Sequence, residues 1–169
     1  MILSDLIKKA ETSSFYLWLL NNILWKKIPF NNPHKIKIEK VESGSLTISL
    51  PYRRKNKNHI GGIHACALAT LSEYISGLTL MSSISEKEYR IILKNINITY
   101  HYQAKMKVQA TFSLSKEFLQ NEIINPLKTS DSIFKELTVE LYDTQKNHIC
   151  TGLINWQIKK WGKVKTKVK

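Results

Sequence analysis

The sequence predicts an α+β domain in which one antiparallel six-stranded sheet curls around a central helix, with an extra helix at the amino terminus. Three observations predict it. Apolar residues first recur at helical spacing, then alternate in two short segments, then form a long apolar helix, and then alternate again in four further segments. The long apolar helix carries many small residues, Ala65, Ala67, Ala69 and Gly77 among them, which lets strands approach it closely. The length, 169 residues with 43% hydrophobic content, suits a single domain over 1–169 that buries a core without disulfides or structural metal.

The amino-terminal helix is expected within 1–28, from Ser4 as N-cap to about Lys27, with Leu6, Ile7, Ala10, Leu17, Leu20 and Leu24 near helical spacing. Its segment Phe15-Tyr16-Leu17-Trp18-Leu19-Leu20 is apolar all round and must be covered. Packing on the domain, lining an acyl pocket and peripheral contact with a membrane surface are the three ways to cover it, the last suggested by Trp18, Trp25, Lys26 and Lys27. Pro29 and Pro33 end the helix. Ile36 and Ile38 alternate with lysines, the turn Glu42-Ser43-Gly44 follows, and Leu46, Ile48 and Leu50 alternate with Thr47 and Ser49, so this is a hairpin.

Residues 53–57 read as a basic loop and residues 63–80 as the central helix. Four long strands follow, at 89–101, 105–115, 133–143 and 148–159, on the alternation of Ile96, Ile98 and Tyr100, of Val108, Ala110, Phe112 and Leu114, and of Leu137, Val139 and Leu141. Residues 116–132, with Asn125-Pro126 and Thr129-Ser130-Asp131, read as a long connection with one helical turn. A basic tail occupies 160–169.

The formal net charge is +13, with clusters at Arg53-Arg54-Lys55-Asn56-Lys57 and in the tail. Such a field attracts phosphates, whether of coenzyme A, nucleic acid or anionic lipid, and charge alone does not choose among them. No helix-turn-helix, zinc-finger or RNA-recognition signature appears, so no nucleic acid is expected as partner. Cys66 and Cys150 lie far apart without metal-ligand spacing, which predicts no metal site and fits reduced thiols in a cytoplasm. The start Met-Ile-Leu-Ser-Asp lacks the basic region of a targeting peptide, and no apolar stretch approaches the roughly 20 residues that span a bilayer.

The most informative segment is Asn58-His59-Ile60-Gly61-Gly62-Ile63-His64-Ala65-Cys66, a glycine turn that runs into the central helix, and the single acid on that helix, Glu73. A carboxylate on so apolar a helix is costly to bury without a partner or a raised pKa. The pattern Asn-x-x-Gly-x-x-His, two small residues, then an acid nine positions after the His resembles the active-site signature of hotdog-fold acyl-CoA thioesterases of the phenylacetyl-CoA branch, at Asn58, Gly61, His64 and Glu73. The chain is similar above all to the hotdog branch called domain of unknown function 4442. Two departures stand out: Ala65-Cys66 replaces the family's usual Gly-Gly, and Glu73 stands where Asp is common.

Thioester hydrolysis needs a carboxylate as general base or nucleophile and donors for the developing oxyanion. The resemblance implies Glu73 for the first role. The unpaired N–H groups at a helix start suit the second, which makes the amides of Ala65 and Cys66 the candidates. Glu73 lies nine residues past His64, roughly 13 Å along a helix axis, too far to meet its own entrance. A twofold homodimer, with tetramers as a further level, resolves the distance, as the resemblance also implies.

Each candidate has a plainer reading. Glu73 is alternatively a surface or satisfied structural acid, and Asn58 a turn residue accepting local backbone bonds. His64 either bonds across the dimer or caps its own helix. Gly61 and Gly62 are turn glycines in either case, Thr70 keeps the Glu73 face small and polar, and Cys66, with no His/Asp set beside it, is expected to be a small buried residue. Arg53 and Arg54 are candidates for coenzyme A phosphates. The expected function is therefore an acyl-CoA thioesterase, against a non-catalytic acyl-ligand or lipid-binding module of the same fold, with no cofactor beyond the coenzyme A of the substrate. A basic nucleic-acid-binding protein ranks third.

Overall fold

The computed structural model describes residues 3–164. Two helices, α1 (Leu3–Ala10) and α2 (Ser14–Lys27), precede a hairpin of β1 (Lys37–Glu42) and β2 (Ser45–Leu50). The long helix α3 (Ala65–Ser83) is followed by β3 (Tyr89–Tyr100) and β4 (Val108–Ser113), a helical connection, and β5 (Ser132–Asp143) and β6 (His148–Lys160). The six strands form one antiparallel sheet in the order β1-β2-β4-β5-β6-β3. Its concave face wraps α3, as the alternation predicts.

The fit between α3 and the sheet depends on small and hydroxylated residues. Leu71, Ile75 and Leu80 are fully buried, while the buried hydroxyls of Ser72, Ser76 and Thr79 donate to the carbonyls of Leu68, Ser72 and Ile75 at 2.8–3.1 Å, so no polar atom there is left unpaired. Gly77 admits the Trp156 indole, since a Cβ at that position would come within 2.8 Å of the ring. Trp156 Nε1–H then donates to Ser76 Oγ at 3.1 Å, which fixes the ring on the helix.

The two sheet edges differ. At β1, the buried Asn21 of α2 behaves like a neighbouring strand: its Nδ2 donates to Ile38 O at 3.0 Å and its Oδ1 accepts from Ile38 N–H at 2.8 Å. Trp25 Nε1 adds a bond to Ile36 O. This covers that edge. At β3, twelve residues long and paired to β6 alone, nothing among the described residues covers the outer edge.

Three expectations need correction. The single amino-terminal helix is two, because Ser13 adopts an extended backbone and its Oγ accepts from Tyr16 N–H, starting α2 afresh. The connection is helical for most of its length, through Lys116–Phe118, Leu119–Ile124 and Asn125–Thr129, capped by Ser115 and anchored by the buried Ile123 and Leu127. Cys66 is exposed, because it lies in the first turn of α3 on a face that nothing among the described residues covers. Of the basic tail, residues 165–169 lie outside the described residues. The helix α2 packs on the domain yet leaves Phe15 and Trp18 each 60% exposed, and no helix among the described residues is long and apolar enough to cross a membrane.

Candidate functional site

Residues 51–64 are folded around two asparagines. Asn56, which no sequence pattern singles out, is buried and cross-links the loop: its Nδ2 donates to His34 O and Pro51 O, and its carbonyl accepts from His64 N–H at 2.8 Å. Asn58 organises the next turn, its Oδ1 accepting from Ile60 N–H at 3.1 Å and Gly62 N–H at 3.0 Å. Gly61 sits at φ +80°, where a side chain would be strained. Tyr52 Oη donates to Gly61 O, and Lys57 Nζ lies 3.8 Å from the centre of the Tyr52 ring. The basic loop with Arg53 and Arg54 is thereby held against the start of α3.

His64 is the N-cap of α3, and its Nδ1 accepts from Cys66 N–H at 3.1 Å. Its capping alternative is therefore the one seen in the single chain. The Cys66 amide is occupied by that bond, whereas the Ala65 N–H has no acceptor among the described residues. Tyr100, at the end of β3, donates its hydroxyl to Ala65 O at 3.0 Å. Asn58, Ile60, Ala65, Leu68, Tyr100 and Tyr102 line an open cleft of about 410 Å³. With Oδ1 fixed by two N–H groups, Asn58 is left with Nδ2 as a donor on that cleft. In the sequence Tyr100 carries no site signal, since it continues the strand alternation of Ile96 and Ile98.

Glu73 lies away from this cleft, eight positions beyond Ala65 and so roughly 12 Å along the axis. Its side chain is half-buried, with no ion pair or hydrogen bond among the described residues. It borders an apolar chamber of about 200 Å³ that also includes Leu24, Leu78 and Trp156. Burial pushes its carboxyl above the ordinary value of 4.5. Thr70 lies on the same open stripe as Cys66 and Glu73, its hydroxyl bonded to Cys66 O at 2.8 Å. Within one chain, then, the acid and the entrance amides are apart.

The raised pKa has a definite sign for stability. The folded chain binds the Glu73 proton more tightly than the unfolded chain, so stability falls as pH rises from about 4.5 through the folded pKa, and the loss persists above it. Glu73→Gln is expected to melt higher than wild type at pH 7.5, by about 2–4 °C for an effect on the order of 1 kcal/mol, and to show no advantage at pH 4. Scanning calorimetry at the two pH values checks this, and an equal shift at both would contradict it.

The family model described as domain of unknown function DUF4442 matches residues 17–158. No curated protein matches the sequence. Among solved structures, the Pseudomonas aeruginosa protein of unknown function PA5026, named a probable thioesterase, superposes with a TM-score of 0.77 at 23% identity, covering 85% of this chain and 95% of that one. Thioesterase HI1161 of Haemophilus influenzae gives a TM-score of 0.69 at 13% identity over 93% of this chain and 99% of that one. A mutant of thioesterase PA1618 of Pseudomonas aeruginosa gives 0.65 at 15% over 89% and 99%. At these identities the similarity establishes the hotdog fold.

Proposed function

We propose that this chain, which belongs to the DUF4442 family, binds acyl-CoA thioesters in a cleft shared by two copies and hydrolyses them with Glu73 as general base. The observation that carries the reading is the half-buried Glu73 carboxylate, without a partner among the described residues, in the lining of an apolar chamber. A structural acid would have a partner; a base raised by burial is a stronger proton acceptor once ionised.

The second copy follows from two open features. The β3 edge carries unpaired backbone groups along its length, with Ile92 and Leu93 partly exposed, and so offers strand-to-strand pairing about a twofold axis. On α3, a stripe runs from the exposed Cys66 through the half-buried Thr70 to the half-buried Glu73. For Ala65 of one copy to meet Glu73 of the other and the reverse, the axis must pass beside the midpoint of the two positions, Ala69. A methyl group there lets the helices come close.

In such a cleft, Glu73 of one copy takes a proton from water as the water oxygen attacks the thioester carbonyl. The Ala65 N–H of the other copy, supported by Asn58 Nδ2, holds the oxyanion. Collapse breaks the carbon–sulfur bond, and the proton returns from Glu73 to the leaving sulfur, giving a carboxylic acid and free coenzyme A. Arg53 and Arg54, beside the entrance, meet the coenzyme A phosphates.

A panel of acyl-CoA thioesters, with thiol release as the readout, tests the reading, and equal rates for wild type and Glu73→Ala would overturn it. The non-catalytic acyl-binding alternative has one observation in its favour: His64 occupies the Cys66 amide, so of the two backbone donors expected at the entrance one remains open among the described residues. Saturable acyl-CoA binding without turnover would select that alternative.

A further inference from the structure

The chamber beside Glu73 has an unusual wall. One side is the core of the domain: Leu78 of α3 and Trp156, whose six-membered ring packs against the backbone at Gly77 and whose Nε1–H is held by Ser76. The other side comes from the amino-terminal helices: Leu3 of α1, Leu24 of α2 and Ile28 just past its end. These helices are firmly placed. Leu6, Ile7 and Ala10 anchor α1 in the core, its first turn is tied by Leu3 N–H to Glu86 Oε1 at 3.3 Å, and Asn21 and Trp25 fasten α2 to β1. Leu3 precedes the family match, which begins at residue 17.

We infer that this chamber is the acyl pocket and that α1 and α2 close it as a length gauge, so that the substrate class is a medium-chain fatty acyl thioester of about six to eight carbons. This deepens the thioesterase reading and rests on it for the chemistry. The size follows from the volume: a methylene occupies about as much room as a water, roughly 30 Å³, so the chamber of about 200 Å³ takes some seven such groups. The polarity agrees, since one carboxylate faces otherwise mostly apolar walls, which matches a thioester carbonyl followed by a hydrocarbon chain. The firm placement of the helices makes the wall they contribute a fixed one.

Binding of non-hydrolysable S-alkyl-CoA thioethers from C2 to C14, measured by calorimetry on the wild-type protein, tests the gauge apart from the chemistry. Affinity is expected to rise, by up to about fourfold per added carbon, to a ceiling near C6 to C8 and not beyond. Leu24→Ala removes a wall and moves the ceiling up by two carbons or more. Ile28→Trp, at a half-buried position that can accept a larger ring, moves it down, and serves if Leu24→Ala proves unstable. Affinity that keeps rising through C14, or an identical ceiling in wild type and both variants, overturns the inference. A ceiling that moves as described without turnover of the matching acyl-CoA would keep the gauge and defeat the hydrolase reading. Turnover indifferent to chain length would do the opposite.

Discussion

Glu73→Ala is expected to lower kcat/KM for acyl-CoA hydrolysis by about 10²–10⁴, the usual contribution of a positioned general base. On the proposed mechanism the loss should fall mainly on kcat, because the carboxylate acts through its proton transfers in the reaction while the apolar walls and the arginines carry most of the ground-state binding. The pH dependence is set by the same group. Only ionised Glu73 accepts a proton, so wild-type kcat/KM climbs with pH to a plateau, and burial places the midpoint of that climb above the 4.5 of an ordinary glutamate. Glu73→Gln keeps the shape, removes the base and should abolish the climb. Glu73→Asp withdraws the carboxylate by one methylene and should keep part of the activity. An unshifted pH profile in Glu73→Gln would show that another group titrates.

The stability and activity effects of Glu73 have opposite signs, and that opposition separates a site residue from a structural one. A carboxylate held by a salt bridge stabilises the fold and its removal destabilises it. Glu73 has no such partner among the described residues, so its removal should leave a more stable and less active protein.

The sheet was legible because each strand has one face on the core: Leu46, Ile48 and Leu50 are all nearly or fully buried, and the register of β2 on β4 pairs them with Phe112, Ala110 and Val108. The helical connection was misread because Asn125-Pro126 looks like a turn, yet Pro126 sits in the first turn of the segment Asn125–Thr129, where proline is tolerated. The spacing of Leu119, Ile123 and Leu127 carried the helical signal. The break in the amino-terminal helix was signalled by Thr12-Ser13-Ser14, whose hydroxyls compete for backbone groups.

Glu73 stood out in the sequence because one acid in an apolar helix conflicts with its surroundings, and the structure leaves it half-buried with its pKa raised by burial. The parts that stayed hidden depend on tertiary approach. Asn56 lies in a basic run that masks it, although its bonds to His34, Pro51 and His64 hold the entrance loop together. Tyr100 reaches Ala65 from 35 residues away. The contribution of Leu3, Leu24 and Ile28 to the chamber requires two helices to fold back over α3, which no local pattern states.

Mixing two inactive variants is expected to restore activity. Ala65→Pro deletes the open N–H at the first residue of α3, where the helix needs no donor and proline is well accepted; the preceding His64, at φ −65° and ψ 137°, already has the backbone a following proline requires. Alone it should lower kcat by about 10²–10³, the effect of losing one oxyanion donor, with the fold unchanged by circular dichroism. In an Ala65→Pro and Glu73→Ala heterodimer, one cleft combines the intact Glu73 of the first chain with the intact Ala65 amide of the second, and the other cleft has both defects. Co-expression at equal levels makes half the dimers mixed, each with one complete cleft of two, so about a quarter of wild-type activity should return. If acid and amide instead came from the same chain, every cleft in the mixture would carry a defect and nothing would return. Because each parent variant is defective by itself, restored turnover has one source: a carboxylate and a helix entrance contributed by different copies.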